Sequence, residues 1–178
     1  MIFITMGCKG RSLVSGYFRD MEADTMSGLQ RFTDAQKMDF DTALAEIRNG
    51  RKESHWMWYI FPQLRGLGFS SMSEYYGIKD LEEAKAFLND PYLGENLRTI
   101  SKALLELKTD DPHQVFGSPD DLKLLSCMTL FEAAEGRGGV STKVIEKYYK
   151  GRRDRKTEKM LGREEQDFNH TSHNIYKL

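Results

Sequence analysis

At 178 residues, with 39% apolar and 30% charged side chains, the chain has the length and composition of one soluble globular domain with a real core. A formal net charge of −1 excludes a global field directed at nucleic acid or anionic membranes, and no apolar run approaches the ~20 residues of a spanning helix. Cys8 and Cys127 lie far apart and match no metal spacing, so no structural disulfide is expected and a reducing compartment is, the cytoplasm first and the nucleus second.

Residues 1–27 show no sustained periodicity and read as a loosely ordered extension, with Met26 a candidate start of a shorter product. The opening Met-Ile-Phe-Ile-Thr-Met is too short for the apolar core of a signal peptide. The domain is expected over residues 28–162. Thr33-Asp-Ala-Gln36 fits a capping box that opens a helix with Phe40, Ala43, Leu44 and Ile47 on one face, stopped by Asn49-Gly50. Ser54 is read as the cap of a second, short helix that Pro62 ends. Ser71-Met-Ser-Glu74 and Asp80-Leu-Glu-Glu83 are further capping boxes, the first opening a single turn and the second a helix carrying Leu81, Ala84 and Leu88.

Asp90-Pro91 then starts the longest uninterrupted stripe, Leu93, Leu97, Ile100, Leu104 and Leu107. Ser118-Pro119 opens a helix apolar around most of its circumference, from Leu122 to Phe131, which predicts a buried central helix. Gly136-Arg-Gly-Gly139 breaks the chain, Ser141 reopens a helix with Val144, Ile145, Tyr148 and Tyr149, and a last short helix is placed from Asp154 to Leu161. Period-two alternation is missing. The prediction is an all-α single compact domain of six to eight helices without significant sheet, followed by a flexible polar tail over 163–178.

Residues 54–68 concentrate the chemistry. Histidine is the residue type suited to proton transfer at neutral pH, which makes His55 the candidate general acid or base. Trp56 and Trp58 offer stacking faces, but two positions apart they face different sides of a helix. Gln63, Arg65, Gly66 and Gly68 form a glycine-rich exit whose N–H groups, with the Arg65 fork and the hydroxyl of Ser73, suit a small anionic ligand. A structural reading stands beside each assignment. Ser54 is an N-cap and His55 a first-turn residue bonded to a nearby carbonyl. One tryptophan is core with its indole N–H on a backbone carbonyl, and Arg65 pairs with a surface carboxylate.

Elsewhere, Ser126 and Thr129 either bond the carbonyl four residues back or face a polar cavity opposite residues 54–68. Cys127 reads as a small buried hydrophobe. Between Lys147 and Arg163 basic residues outnumber acidic ones, which fits a solvated helix end or a partner surface. His55, His113, His170 and His173 form no close cluster except the tail pair His170-x-x-His173, a weak adventitious site at most, so neither a metal nor a cofactor is expected.

The run from Ser54 through His55, Trp56, Trp58, Phe61-Pro62-Gln63 and Arg65 to Gly68 resembles the signature of the domain-of-unknown-function 1810 family. Arg31-Phe32, Ala35-Gln36, Tyr75-Tyr76-Gly77-Ile78, Asn89-Asp-Pro91, Leu93-Gly94, Phe116-Gly117, Lys123 to Phe131, and Gly151 with Asp154 extend the resemblance over about residues 30–162. Tyr59 stands where phenylalanine is usual and Cys127 where serine is usual. The resemblance implies an all-α fold and no established activity. Some members carry a calpastatin-like label, but such inhibitors are disordered repeat proteins, unlike a chain with strong helix caps and an aromatic core.

Two functional readings follow. In the first, the protein binds or acts on a small anionic or nucleotide-like ligand, with His55, Trp56 or Trp58, Gln63, Arg65, Gly66, Gly68 and Ser73 around it. In the second it is a non-catalytic interaction module that meets a protein or, less favoured, a nucleic acid through the basic 147–163 region. No membrane partner is expected, and nothing in the pattern specifies an oligomeric state.

Overall fold

The computed structural model describes the backbone of residues 13–162 and the side chains of residues 28–162. In chain order the described residues form nine helices: α1 (Leu13–Arg48), α2 (Met57–Ile60), α3 (Ser71–Tyr75), α4 (Leu81–Asn89), α5 (Leu93–Glu106), α6 (Pro112–Phe116), α7 (Asp120–Glu135), α8 (Val140–Tyr149) and α9 (Arg155–Met160). The all-α expectation holds, with one parallel bridge between Leu64 and Ile78 as the sole β pairing among the described residues. None of the described helices is long and apolar enough to cross a membrane.

Side-chain caps set several starts, because the first N–H groups of a helix have no partner within it. Asp80 accepts Glu83 N–H at 2.9 Å, Ser70 accepts Ser73 N–H at 3.1 Å, and Asp154 accepts Thr157 N–H at 3.2 Å. Asp111 does the same for His113 N–H at 2.9 Å, ahead of Pro112, and opens α6, a helix the sequence reading passed over.

Three local expectations change. First, α1 begins at Leu13 and not at Thr33, while residues 1–12 and 163–178 lie outside the described residues. Thr33 and Gln36 therefore sit mid-helix. Gln36 is buried, donating to the Tyr59 carbonyl at 2.7 Å and accepting from Asn96 at 2.9 Å, which ties α1 to α2 and α5. Second, Ser54 caps no helix: Trp56 is the N-cap of α2, and the Ser54 hydroxyl turns to Glu46. Third, α7 is not buried all round, since Leu122 is 61% exposed and Leu125 half-buried.

Packing otherwise follows the apolar stripes. Helix α7 contacts α4, α6, α8 and α9, and α5 packs against α1, α4 and α8. Phe32, Phe87 and Phe131 form a chain of rings through the core, with centroids 5.2 and 5.3 Å apart. Each such side chain contributes about 1.5–3 kcal/mol on burial. Lys147, the first member of the basic run, donates to the carbonyls of Leu104 and Leu105 at 3.0 Å and of Leu107 at 2.5 Å. Its charge thus serves the C-terminus of α5, where carbonyls lack helical partners.

The exit segment after α2 is closed by backbone. Arg65 N–H donates to Ile78 at 2.8 Å and Ile78 N–H to Gln63 at 2.9 Å. A Cβ on Gly77 would lie 2.7 Å from Arg65 Cα, so the two backbones cross only because residue 77 has no side chain. The junction of α4 and α5 is tighter still, with a Cβ on Gly94 falling 2.1 Å from the Leu88 carbonyl oxygen. Gly94→Ala is expected to lower the urea-unfolding free energy by about 3 kcal/mol or to prevent folding. Parent-like stability would mean that the two helices can part freely.

Candidate functional site

The chain between α1 and α2 is irregular, and one carboxylate fixes it. Glu46, buried on α1, accepts the backbone N–H groups of Glu53 at 2.8 Å and Ser54 at 3.0 Å, the Ser54 hydroxyl, and Trp56 Nε1–H at 2.7 Å. Burial pushes its pKa up, but these donors outweigh burial and bring it down to about 2. Trp56 is accordingly a core residue against Phe61 and Phe116, with a carboxylate rather than a backbone carbonyl on its N–H. His55 is exposed, and its carbonyl accepts the Tyr59 hydroxyl at 3.4 Å.

Both tryptophan faces carry lysines. Lys52 Nζ sits 5.2 Å from the Trp56 ring and Lys123 Nζ 5.0 Å from the Trp58 ring. Asp120, on the first turn of α7, joins the two cations at 2.8 and 2.7 Å. Burial raises its pKa, yet the paired lysines more than offset that and leave it below the ordinary value. Trp58 is thus held beneath a cation on one face.

The exit residues separate into two groups. A Cβ at Gly68 would lie 2.7 Å from Ser73 Oγ and 3.3 Å from Gln63 Nε2, so Gln63, Gly68 and Ser73 meet at one point. The Ser73 hydroxyl donates to the Ser70 carbonyl at 2.7 Å, closing the turn on itself. Arg65 and Gly66 are exposed on the other side. Arg65 lies 3.6 Å from Glu74, and it lines a cavity of about 490 Å³ with Arg31, Ser71, Glu74 and Tyr75. Among the described residues, no hydrogen bond or ion pair connects His55 with Arg65.

A larger concavity follows the uncovered strip of α7. One cavity of about 920 Å³ is walled by Tyr148, Tyr149 and the 151–156 segment. A second, of about 480 Å³, is walled by Gln63, Leu67, Phe69, Lys123 and Ser126. They share Leu122, Leu125, Asp154 and Lys156, so they form one groove with an apolar floor.

Its basic wall is built by the end of α8. Lys150 and Gly151, with φ of 55° and 77°, reverse the chain in the left-handed region. Arg153 then forks onto Glu132 at 2.6 and 2.8 Å. Burial disfavours the Glu132 charge, but Arg153 and Thr142 overcome that and depress its pKa. Asp154 accepts the hydroxyls of Ser126 at 2.9 Å and Thr157 at 2.7 Å, while its N–H donates to Thr129 Oγ1 at 3.0 Å. Thr129 and Ser126 also bond the carbonyls four residues back, Leu125 at 2.8 Å and Leu122 at 3.2 Å, the local partners read for them. Ser126 in addition lines the cavity that Gln63 walls.

Arg152, Arg155 and Lys156 are exposed, and their side chains make no hydrogen bond or ion pair among the described residues. Neither Glu46 nor the exposure of Leu122 carried a sequence signal. Asp154 did, as the start of the last helix.

Residues 26–161 match the family described as "Protein of unknown function (DUF1810)". The chain belongs to this family. A crystal structure of the conserved hypothetical protein Rv1873 from Mycobacterium tuberculosis is similar over 75% of this chain and 96% of its own, at 42% identity and a TM-score of 0.73. Comparison with curated proteins gives no match. Every residue named in the groove lies within the family-matched span.

Two measurements check this architecture. Glu46 titrates lower in the folded chain than its ordinary value of 4.5. The stability it gives is complete above that value and lost as pH falls toward 2. Parent protein should lose ~2 kcal/mol more than Glu46→Gln over that window in denaturant titrations, and parallel pH profiles would refute the role. Asp154→Ala should cost about 1–3 kcal/mol through the lost cap and the Ser126 tie. In a double-mutant cycle with Ser126→Ala the losses should be non-additive, whereas simple additivity would show the two side chains to be uncoupled.

Proposed function

We propose that this protein is a recognition module without chemistry of its own, holding an extended acidic segment of a partner protein in the groove along α7. The observation that carries this reading is the pairing, in one groove, of an apolar floor with a rim of uncommitted cations. Leu122 and Leu125 form the floor, with Leu67 and Phe69 beside them, and Arg152, Arg155 and Lys156 edge it. A pocket for a small molecule engulfs most of its ligand. Here the cations are solvent-exposed, which suits a ligand lying along a surface. Asp121 and Glu158 also line the groove, so a uniformly charged phosphate backbone fits less well than a peptide with spaced carboxylates.

The Arg65 cavity supports the earlier small-anion reading less well, because Glu74 already stands against the arginine. Lys123 in the groove is likewise neutralised by Asp120. The affinity of the groove therefore rests on the three exposed cations and the apolar contacts.

Fluorescence anisotropy with a labelled peptide of glutamates and aspartates carrying one phenylalanine tests the proposal. Binding should weaken with added salt. It should fall about tenfold or more in Arg152→Glu/Lys156→Glu, since a reversed rim repels the ligand, and change little in Arg65→Ala. Failure to bind at low salt, or equal loss in the Arg65 variant, would overturn the assignment.

A further inference from the structure

We infer that the chain carries its own competitor for this groove, residues 164–168, Glu-Glu-Gln-Asp-Phe. The inference rests on the reading of the groove as an acceptor of acidic segments and names what regulates it. Glu164, Glu165 and Asp167 are followed by Phe168, a cluster of carboxylates with an aromatic side chain directly behind it. That order matches the groove, whose cationic rim lies beside an apolar floor.

The departure point of the segment strengthens the match. Helix α9 begins in the groove, where Arg155 and Lys156 line it. It ends beside Gly66, with Met160 Cε 3.6 Å from where a Cβ on that residue would stand. Gly66 belongs to the same turn as Gln63, Leu67 and Phe69, which wall the apolar end. Gly162, with φ of 69°, then redirects the chain after one bond back from its N–H to Lys159 at 3.0 Å. Fully extended, the six residues 163–168 span up to about 20 Å from Gly162.

A tethered segment acts at an effective concentration of order millimolar, so even weak docking lowers the apparent affinity for a partner peptide by the fraction of grooves left open. Residues 164–168 follow the family-matched span, which ends at residue 161.

The test uses the full chain with Glu164→Gln, Glu165→Gln, Asp167→Asn and Phe168→Ala. Anisotropy with the same acidic peptide should show about fivefold or tighter binding than to the parent chain. A synthetic peptide of residues 163–178 should bind this variant with salt-sensitive affinity and lose binding when Arg152→Glu/Lys156→Glu is added. Equal affinity of parent and tail variant would overturn the competitor while leaving the groove assignment intact. If neither chain binds the acidic peptide, the groove reading fails and the competitor falls with it.

Discussion

The carboxylate of Glu46 holds the region on which the rest of the molecule turns. It lies near the end of a long helix, faces inward, and gathers donors from Glu53, Ser54 and Trp56 of an otherwise irregular chain. Isolated, such a charge would be expelled from a core or would take up a proton. Saturated with donors, it becomes a rigid peg. Trp56 is pinned by it, the Trp56–Phe61–Phe116 cluster packs around the indole, and α2 starts at a defined angle.

From that peg the constraint passes to the groove. Lys52 lies over Trp56 and reaches Asp120 at the start of α7. Asp120 also holds Lys123 above Trp58, one wall of the apolar end. Farther along α7, Ser126 and Thr129 meet Asp154 and so fix where α9 begins. The helix therefore positions both walls with polar side chains while leaving Leu122 and Leu125 between them. A groove with walls tied in this way holds its shape before any ligand arrives, which lowers the ordering cost of binding.

The sequence made the helical class and most helix limits legible because caps and stops are local. Asp80, Asp154 and Gly151 act on atoms within a few residues, and each does what its type predicts. The same logic misread Thr33 and Ser54. A threonine followed three residues later by glutamine resembles a cap wherever it falls, and only the packing of Asn96 and Tyr59 reveals that Gln36 is a buried bridge. Ser54 lost its expected role to an acceptor on another element. The candidate site was less legible for the same reason. Residues 54–68 are contiguous in sequence, yet they divide between core, turn and groove wall, and the uncovered strip of α7 depends on how far two distant loops stop short of it.

The placement of the two tryptophans has a spectroscopic consequence. Trp56 is sealed in the core with a carboxylate on its N–H, and Trp58 is half-buried beneath Lys123, itself a lining residue of the groove. Their emission thus has two separate origins. One indole reports whether the fold is intact, and the other senses the ammonium above it, which the groove shares. The protein contains its own reference fluorophore beside its own probe, two residues apart in the chain.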